Sequence, residues 1–168
     1  DTSRGLVGSE MCIRDSTDPD PLLAEALAHA SGSGRAIDLA CGRGRHAIAL
    51  AKAGYEVEAV DISPRALSAA RELAQGLEIL WQAADLDEFE LPEATYAVVC
   101  CVDFSDRALT RRMIDSLVPG GILVFSTCPR ALSRFSPGPG EITRWFEGLE
   151  VLVHREDDRR IEFIGRMR

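Results

Sequence analysis

The chain has 168 residues, 46 % from the apolar set and 27 % charged, with 19 Lys+Arg against 27 Asp+Glu for a formal net charge of −8. That length predicts one domain, large enough to bury ~68–70 % of its unfolded surface without disulfides or metals. The longest apolar run, Tyr96 to Val102, is far below the ~18 residues of a membrane span, and the acidic balance opposes the counterion-release binding that nucleic acids reward.

Residues Asp1 to Ser16, DTSRGLVGSEMCIRDS, show neither helical nor strand periodicity and lack the apolar centre of a signal peptide. The stretch GLVGSEMCIRDS resembles translated sequencing-adapter sequence. Residues 1–17 are therefore set apart as an artefactual or disordered tail, with the native N-terminus expected to be missing, and 18–168 as a single domain.

Asp20-Pro21 is a cap-plus-proline helix start, followed by Leu22, Leu23, Ala26, Leu27 and Ala30 on one face. Arg35 to Ala40 reads as a strand entering the glycine turn Cys41-Gly42-Arg43-Gly44, and a helix follows from Arg45 to Ala53. Tyr55 to Ile62 is the second strand, and Ser63-Pro64 starts a helix running to Gln75. Leu77 to Ala83 is the third strand. Asp85 to Thr95 is too short and acidic for a helix, yet in extended form it reaches across two strands.

Tyr96 to Val102 and Ile122 to Thr127 are the fourth and fifth strands, separated by a helix over Asp106 to Val118 that Pro119-Gly120-Gly121 breaks. A last helix covers Gly140 to Phe146, and Leu149 to Arg155 with Arg160 to Arg166 close as a hairpin around Asp157-Asp158. This alternation predicts an α/β fold: a doubly wound, Rossmann-like, mostly parallel sheet with a C-terminal antiparallel hairpin. Ligands of such sheets sit beyond the strand carboxyl ends at the topological switch point, here Asp38 to Gly44.

The five cysteines (Cys12, Cys41, Cys100, Cys101 and Cys128) include no C-x-x-C, so reduced, buried thiols of a cytoplasmic protein are expected. His29, His46 and His154 are scattered, and no metal site is predicted. Gly42-x-Gly44-x-x-Ala47 satisfies the dinucleotide pattern, with Asp61 near the spacing of a ribose-binding acid. That pattern alone leaves an NAD(P)-dependent oxidoreductase open. Asp38 argues against it: a carboxylate four residues before Gly42 repels a pyrophosphate and attracts a cationic amino-acid end, such as that of S-adenosylmethionine.

Asp38-Leu39-Ala40-Cys41-Gly42-Arg43-Gly44-Arg45-His46, followed by Val60-Asp61-Ile62-Ser63, resembles the first motif and following acid of class I S-adenosylmethionine-dependent methyltransferases. The small tellurite-resistance-like branch is the closest match. The resemblance extends through Ala84-Asp85-Leu86, Leu117-Val118-Pro119-Gly120-Gly121 and Pro139-Gly140-Glu141. It implies Gly42 and Gly44 in the turn under the cofactor, with Asp38 and Ala40 at its methionine end. Asp61 is then expected on the ribose hydroxyls and Ile62 over the adenine. Asp85 and the Leu86 N–H take the adenine edge, and Cys101 faces the cofactor with its backbone.

Cys101-Val102-Asp103-Phe104 departs from the Asn/Asp-Pro-Pro-aromatic motif of enzymes that methylate base or glutamine amino groups, so the acceptor expected is a small molecule: a thiol, a chalcogen oxyanion or another small nucleophile. No general base is legible. Arg43 and Arg45 are expected to face solvent, with either able to meet an anionic substrate, and His46 to be either solvated or at the ligand. The Cys128 to Gly140 loop is expected to shape the acceptor pocket, with Arg130 and Arg134 either solvated or holding an anion. A non-catalytic S-adenosylmethionine-binding domain is the other alternative, and the oligomeric state is open.

Overall fold

The computed structural model describes residues 16–129 and 135–168. Helix α1 (Pro21–Leu27) starts where expected: the Asp20 carboxylate accepts the Leu22 N–H, and Leu22, Leu23 and Ala26 are buried. Strand β1 (Arg35–Leu39) leads through the glycine turn into α2 (Arg45–Lys52). Strand β2 (Glu56–Asp61) is followed by α3 (Pro64–Ala74), whose Ser63 hydroxyl accepts the Ala66 N–H. Strand β3 (Ile79–Ala83) precedes the long acidic link to β4 (Tyr96–Val102). Then come α4 (Arg107–Ser116), capped by Asp106, and β5 (Leu117–Thr127). Helix α5 (Ile142–Trp145), β6 (Leu149–Glu156) and β7 (Ile161–Met167) complete the chain.

The seven strands form one sheet in the order β3-β2-β1-β4-β5-β7-β6. The first five are parallel, while β7 runs antiparallel to both β5 and β6. The predicted doubly wound fold with its closing hairpin is what the chain adopts. The order reverses between β1 and β4, which makes their carboxyl ends the switch point.

Several boundaries differ from the sequence reading, two of them for a clear physical reason. Helix α4 stops at Ser116, and Leu117 already pairs with Tyr96, with an irregularity before Val98. Gly121 permits this close approach: a Cβ there would lie 2.8 Å from the Val118 carbonyl oxygen and 3.0 Å from that of Tyr96. The last helix shrinks to Ile142–Trp145 because Gly140 is drawn off, donating its N–H to Glu156 Oε1 at 2.9 Å.

Alternate residues of the sheet feed two apolar layers. On one face Phe125 meets Phe146 edge-on at 5.0 Å, and Phe146 stacks on Phe163 at 4.9 Å, beside Leu109 and Met113 of α4. On the other, Val98, Val124 and Ile164 pack under Leu22, Leu23, Leu50 and Leu67. Each such side chain contributes roughly 1.5–3 kcal/mol by leaving water, so the sheet is a rigid floor for its loops. Among the described residues no helix is long and apolar enough to cross a membrane.

Candidate functional site

The parallel pairing Asp38↔Cys100, Leu39↔Val60 and Asp61↔Ala83 sets the carboxyl ends of β3, β2, β1 and β4 in one row. Along that row lie the cofactor candidates singled out from sequence: Asp85 and Leu86 after β3, Asp61 and Ile62 at β2, Asp38 to Gly44 at β1, and Cys101 in β4. The crevice is flanked by two non-glycine residues in left-handed conformation, Ala40 (φ 55°) and Asp103 (φ 61°), a geometry that concentrates at functional sites.

The two glycines of the turn have different reasons to be glycine. Gly42 (φ +55°) has open space where a Cβ would stand, while Gly44 (φ +80°) has the Trp81 ring 2.6 Å from that point. Gly42 leaves room for a ligand, and Gly44 leaves room for the protein's own indole. Asp61 ties the turn to β2: its Oδ2 accepts the Gly42 N–H and its Oδ1 the Ser63 N–H, both at 2.9 Å. Next to it, Ile62 is 50 % exposed, unusual for so large an apolar side chain beside a crevice.

Asp38 is turned inward. Its carboxylate is 1 % exposed and accepts the Ala47 N–H at 3.0 Å, satisfying one of the orphan donors of the first turn of α2. Burial raises its pKa to about 7, against the lowering from the Ala47 and Cys100 hydrogen bonds. Asp85 Oδ1 accepts the Asp87 N–H at 2.9 Å, and its carbonyl accepts from Glu88 and Phe89. The Asp85–Phe89 turn is in turn held by Arg112 of α4, which donates to the Leu86 carbonyl at 2.7 Å and to that of Phe89. Cys101 is fully buried, its thiol directed at the Phe104 carbonyl.

Cys41, Cys100 and Cys101 are free and buried, as expected, whereas Cys128 is disulfide-bonded, contrary to the reading of reduced thiols throughout. Burial pushes the pKa of the three free thiols up, so they stay protonated and supply no thiolate nucleophile.

Several side chains take roles that the sequence reading missed. His46 is neither solvated nor open to the crevice: it is 4 % exposed, and its Nε2 accepts the Asp20 N–H at 3.0 Å. Burial lowers its pKa to about 4. Arg43 is exposed, as expected, but Arg45 is not free in solvent. It pairs with Asp103 at 3.0 Å and donates to the Asp18 carbonyl. Arg160 binds Asp20, Asp103 (3.4 Å), Glu162 (3.0 Å) and Ser126 Oγ (2.8 Å).

Asp38, His46 and Cys100 each place one donor atom within 4.8 Å of the others, a grouping that their distant sequence positions conceal. Asp38 accepts from Ala47 and Cys100, and His46 separately from the Asp20 N–H. Arg130 and Arg134 lie outside the described residues.

Comparison with known proteins agrees with this geometry. Among solved structures, the fold resembles TehB from Haemophilus influenzae, with TM-score 0.79 and 17 % identity, over 92 % of this chain and 64 % of that one. It also resembles an S-adenosylmethionine-dependent methyltransferase from Mesorhizobium loti, with TM-score 0.72 and 20 % identity, over 87 % and 96 %. A ubiquinone biosynthesis O-methyltransferase from Bordetella avium is 29 % identical over 127 residues, which are 69 % of this chain and 53 % of that protein. A similar protein from Burkholderia ambifaria is 31 % identical over 119 residues, which are 66 % and 51 %. The chain spans about half the length of these curated relatives. Residues 36–121, just over half of the chain and the part that builds β1 to the start of β5, match the methyltransferase domain family, and the chain therefore belongs to that family.

Proposed function

We propose that the chain binds S-adenosylmethionine along the carboxyl ends of β1–β4 and transfers its methyl group to a small-molecule acceptor. The observation that carries this reading is the Asp61–Gly42 pair. A carboxylate locked by two backbone N–H groups keeps spare lone pairs, beside a glycine whose Cβ position is open. Asp61 is then placed to accept the ribose hydroxyls, and the exposed Ile62 to cover the adenine. Asp85 and the Leu86 N–H take the adenine edge. Gly42 lets the backbone approach the ligand, and Gly44 holds the turn's shape. Asp38 contributes negative potential from below, and the backbones of Ala40 and Cys101 face the methionine end.

S-adenosylmethionine supplies an activated methyl on a sulfonium, which a nucleophile of the acceptor displaces in line. What the protein adds is positioning, capable of lowering a barrier by ~7–11 kcal/mol. The acceptor's nucleophile is a thiol, a chalcogen oxyanion or, as the names of the curated relatives favour, a hydroxyl oxygen. The net charge of −8 supports a small acceptor over a nucleic acid.

Calorimetry with S-adenosylhomocysteine and NAD tests the cofactor. Binding of the first and not the second is expected; tighter binding of NAD would favour an oxidoreductase. Product analysis over thiol, selenite, tellurite and phenol acceptors tests the acceptor class. No methylated product from any of them, with S-adenosylhomocysteine bound, would favour a non-catalytic binding domain.

A further inference from the structure

The link from β3 to β4 contains no helix or strand of its own, yet it carries Asp85 and Leu86. Its first turn is shaped by hydrogen bonds centred on Asp85. The Asp85 carbonyl accepts the Glu88 N–H at 3.0 Å and the Phe89 N–H at 2.9 Å. Its Oδ1 accepts the Asp87 N–H at 2.9 Å. Leu86, Phe89 and Leu91 rest, partly buried, against the apolar layer that includes Leu109 and Met113 of α4. Apolar contact presses the link down but is non-directional, so it fixes no peptide plane. Hydrogen bonds do.

Arg112, on α4 between Leu109 and Met113 in sequence, supplies two of them from outside the turn. Its Nη1 donates to the Leu86 carbonyl at 2.7 Å and its Nη2 to the Phe89 carbonyl. The Leu86–Asp87 peptide is therefore held at both ends, its carbonyl by Arg112 and its N–H by Asp85 Oδ1. A peptide group is planar, so fixing its carbonyl direction fixes its N–H direction, and with it the orientation of the carboxylate that accepts it. A cation on the carbonyl also polarises the group and strengthens its N–H as a donor. The second bond holds the far end of the turn at Phe89, whose own N–H lies on the Asp85 carbonyl. Reaching two carbonyls at once suits the guanidinium fork, whereas a lysine ammonium is a point charge on a flexible stem.

The base that such a turn accepts follows from its polarity. Adenine presents an amino group, which donates, beside a bare ring nitrogen, which accepts. A 6-oxopurine presents a carbonyl oxygen and a ring N–H in the same places. An oriented carboxylate and a backbone N–H match the first pattern and oppose both groups of the second.

We propose that Arg112 is a positioning residue for base recognition: through the Leu86–Asp87 peptide it orients Asp85 toward a 6-amino group, so that the site selects adenine over a 6-oxopurine. This rests on the S-adenosylmethionine reading above and names the residue that sets its base selectivity. Arg112 itself touches no ligand.

The test is competition calorimetry on the full chain with S-adenosylhomocysteine and S-inosylhomocysteine, its 6-oxopurine counterpart. The parent is expected to prefer the adenine compound by at least about 100-fold, since both base contacts are inverted in the other. Arg112→Met, which keeps the apolar stem and removes both donors, is expected to lose about tenfold of that preference, through weaker S-adenosylhomocysteine binding. Its affinity for S-inosylhomocysteine should hold within about twofold, because that ligand gains nothing from an oriented Asp85. Arg112→Lys, able to reach one carbonyl, should fall between the two.

A merely structural role would lower the melting temperature and weaken both ligands alike, leaving their ratio where it was. A folded Arg112→Met protein with the parent's ratio overturns the proposal. If Arg112→Met fails to fold, Arg112→Lys is read the same way: a reduced ratio supports the proposal and the parent's ratio overturns it. Failure of the parent to bind S-adenosylhomocysteine overturns the cofactor reading and the Arg112 proposal with it, whereas tight binding with an unaltered ratio in the variants overturns the Arg112 proposal alone.

Discussion

Gly44→Ala separates the two glycines of the turn. At Gly44 the added Cβ would stand 2.6 Å from Trp81 Cη2, 2.8 Å from Cζ3 and 3.1 Å from the Ala70 Cβ, at φ +80°. Left-handed backbone costs ~1–2 kcal/mol for a residue with a Cβ, and overpacking adds ~1–3 kcal/mol. The total of about 2–5 kcal/mol lowers Tm by about 4–20 °C in a chain of this size. Gly42→Ala bears only the backbone cost, because nothing lies within 4 Å of its Cβ position.

Thermal denaturation followed by circular dichroism, with S-adenosylhomocysteine calorimetry on the same proteins, reads both effects. Gly44→Ala should melt well below Gly42→Ala, whereas Gly42→Ala should stay folded yet lose at least about tenfold in affinity, or 1.4 kcal/mol. Adding Trp81→Leu to Gly44→Ala should recover part of the stability, since contacting residues are non-additive. A Gly44→Ala protein as stable as Gly42→Ala, or a double variant that merely sums the single losses, would refute the packing argument.

Asp61→Ala should weaken S-adenosylhomocysteine by about 10- to 100-fold, since hydrogen bonds to a charged group contribute roughly 1.5–3 kcal/mol; equal calorimetric affinities would sink the ribose assignment. Arg160→Met strands Asp20, 2 % exposed, and Asp103 without their shared cation. Breaking such a pair costs about 3–5 kcal/mol, and urea unfolding within 1 kcal/mol of the parent would show that the network contributes little. The pH dependence of stability has two opposed parts. With burial lowering its pKa from the ordinary 6.5 to about 4, His46 adds stability as pH rises through that window, whereas Asp38, raised from 3.8 to about 7, loses stability over its own. His46→Gln keeps an acceptor for the Asp20 N–H and removes the first part. Its stability should fall between pH 4 and 7 more steeply than the parent's, and parallel urea-midpoint curves would contradict this.

Much of the architecture is legible from local pattern. Asp20-Pro21 and Ser63-Pro64 cap helices as read, because a side-chain acceptor before a proline satisfies the first free N–H groups whatever surrounds them. The row from Asp38 to Cys101 is equally legible: in an alternating βαβ chain every strand end points the same way, so residues that follow strands converge. Boundaries set by pairing were not legible, as at Leu117, where contact with Tyr96 overrides a helical pattern.

Tertiary structure alone decided the side-chain partnerships. Arg160 and Asp20 stand 140 positions apart, and His46 and Asp20 26 apart; their union depends on β7 inserting beside β5 and on α1 packing against the sheet. Trp81 reaches Gly44 only because β3 is two strands from β1, and Ser136 meets Ser105 across 31 positions of sequence. Periodicity and turn residues encode local backbone geometry and which face is buried. Which charge meets which, and which donor is left without a partner, follows from strand order and is set only when the sheet closes.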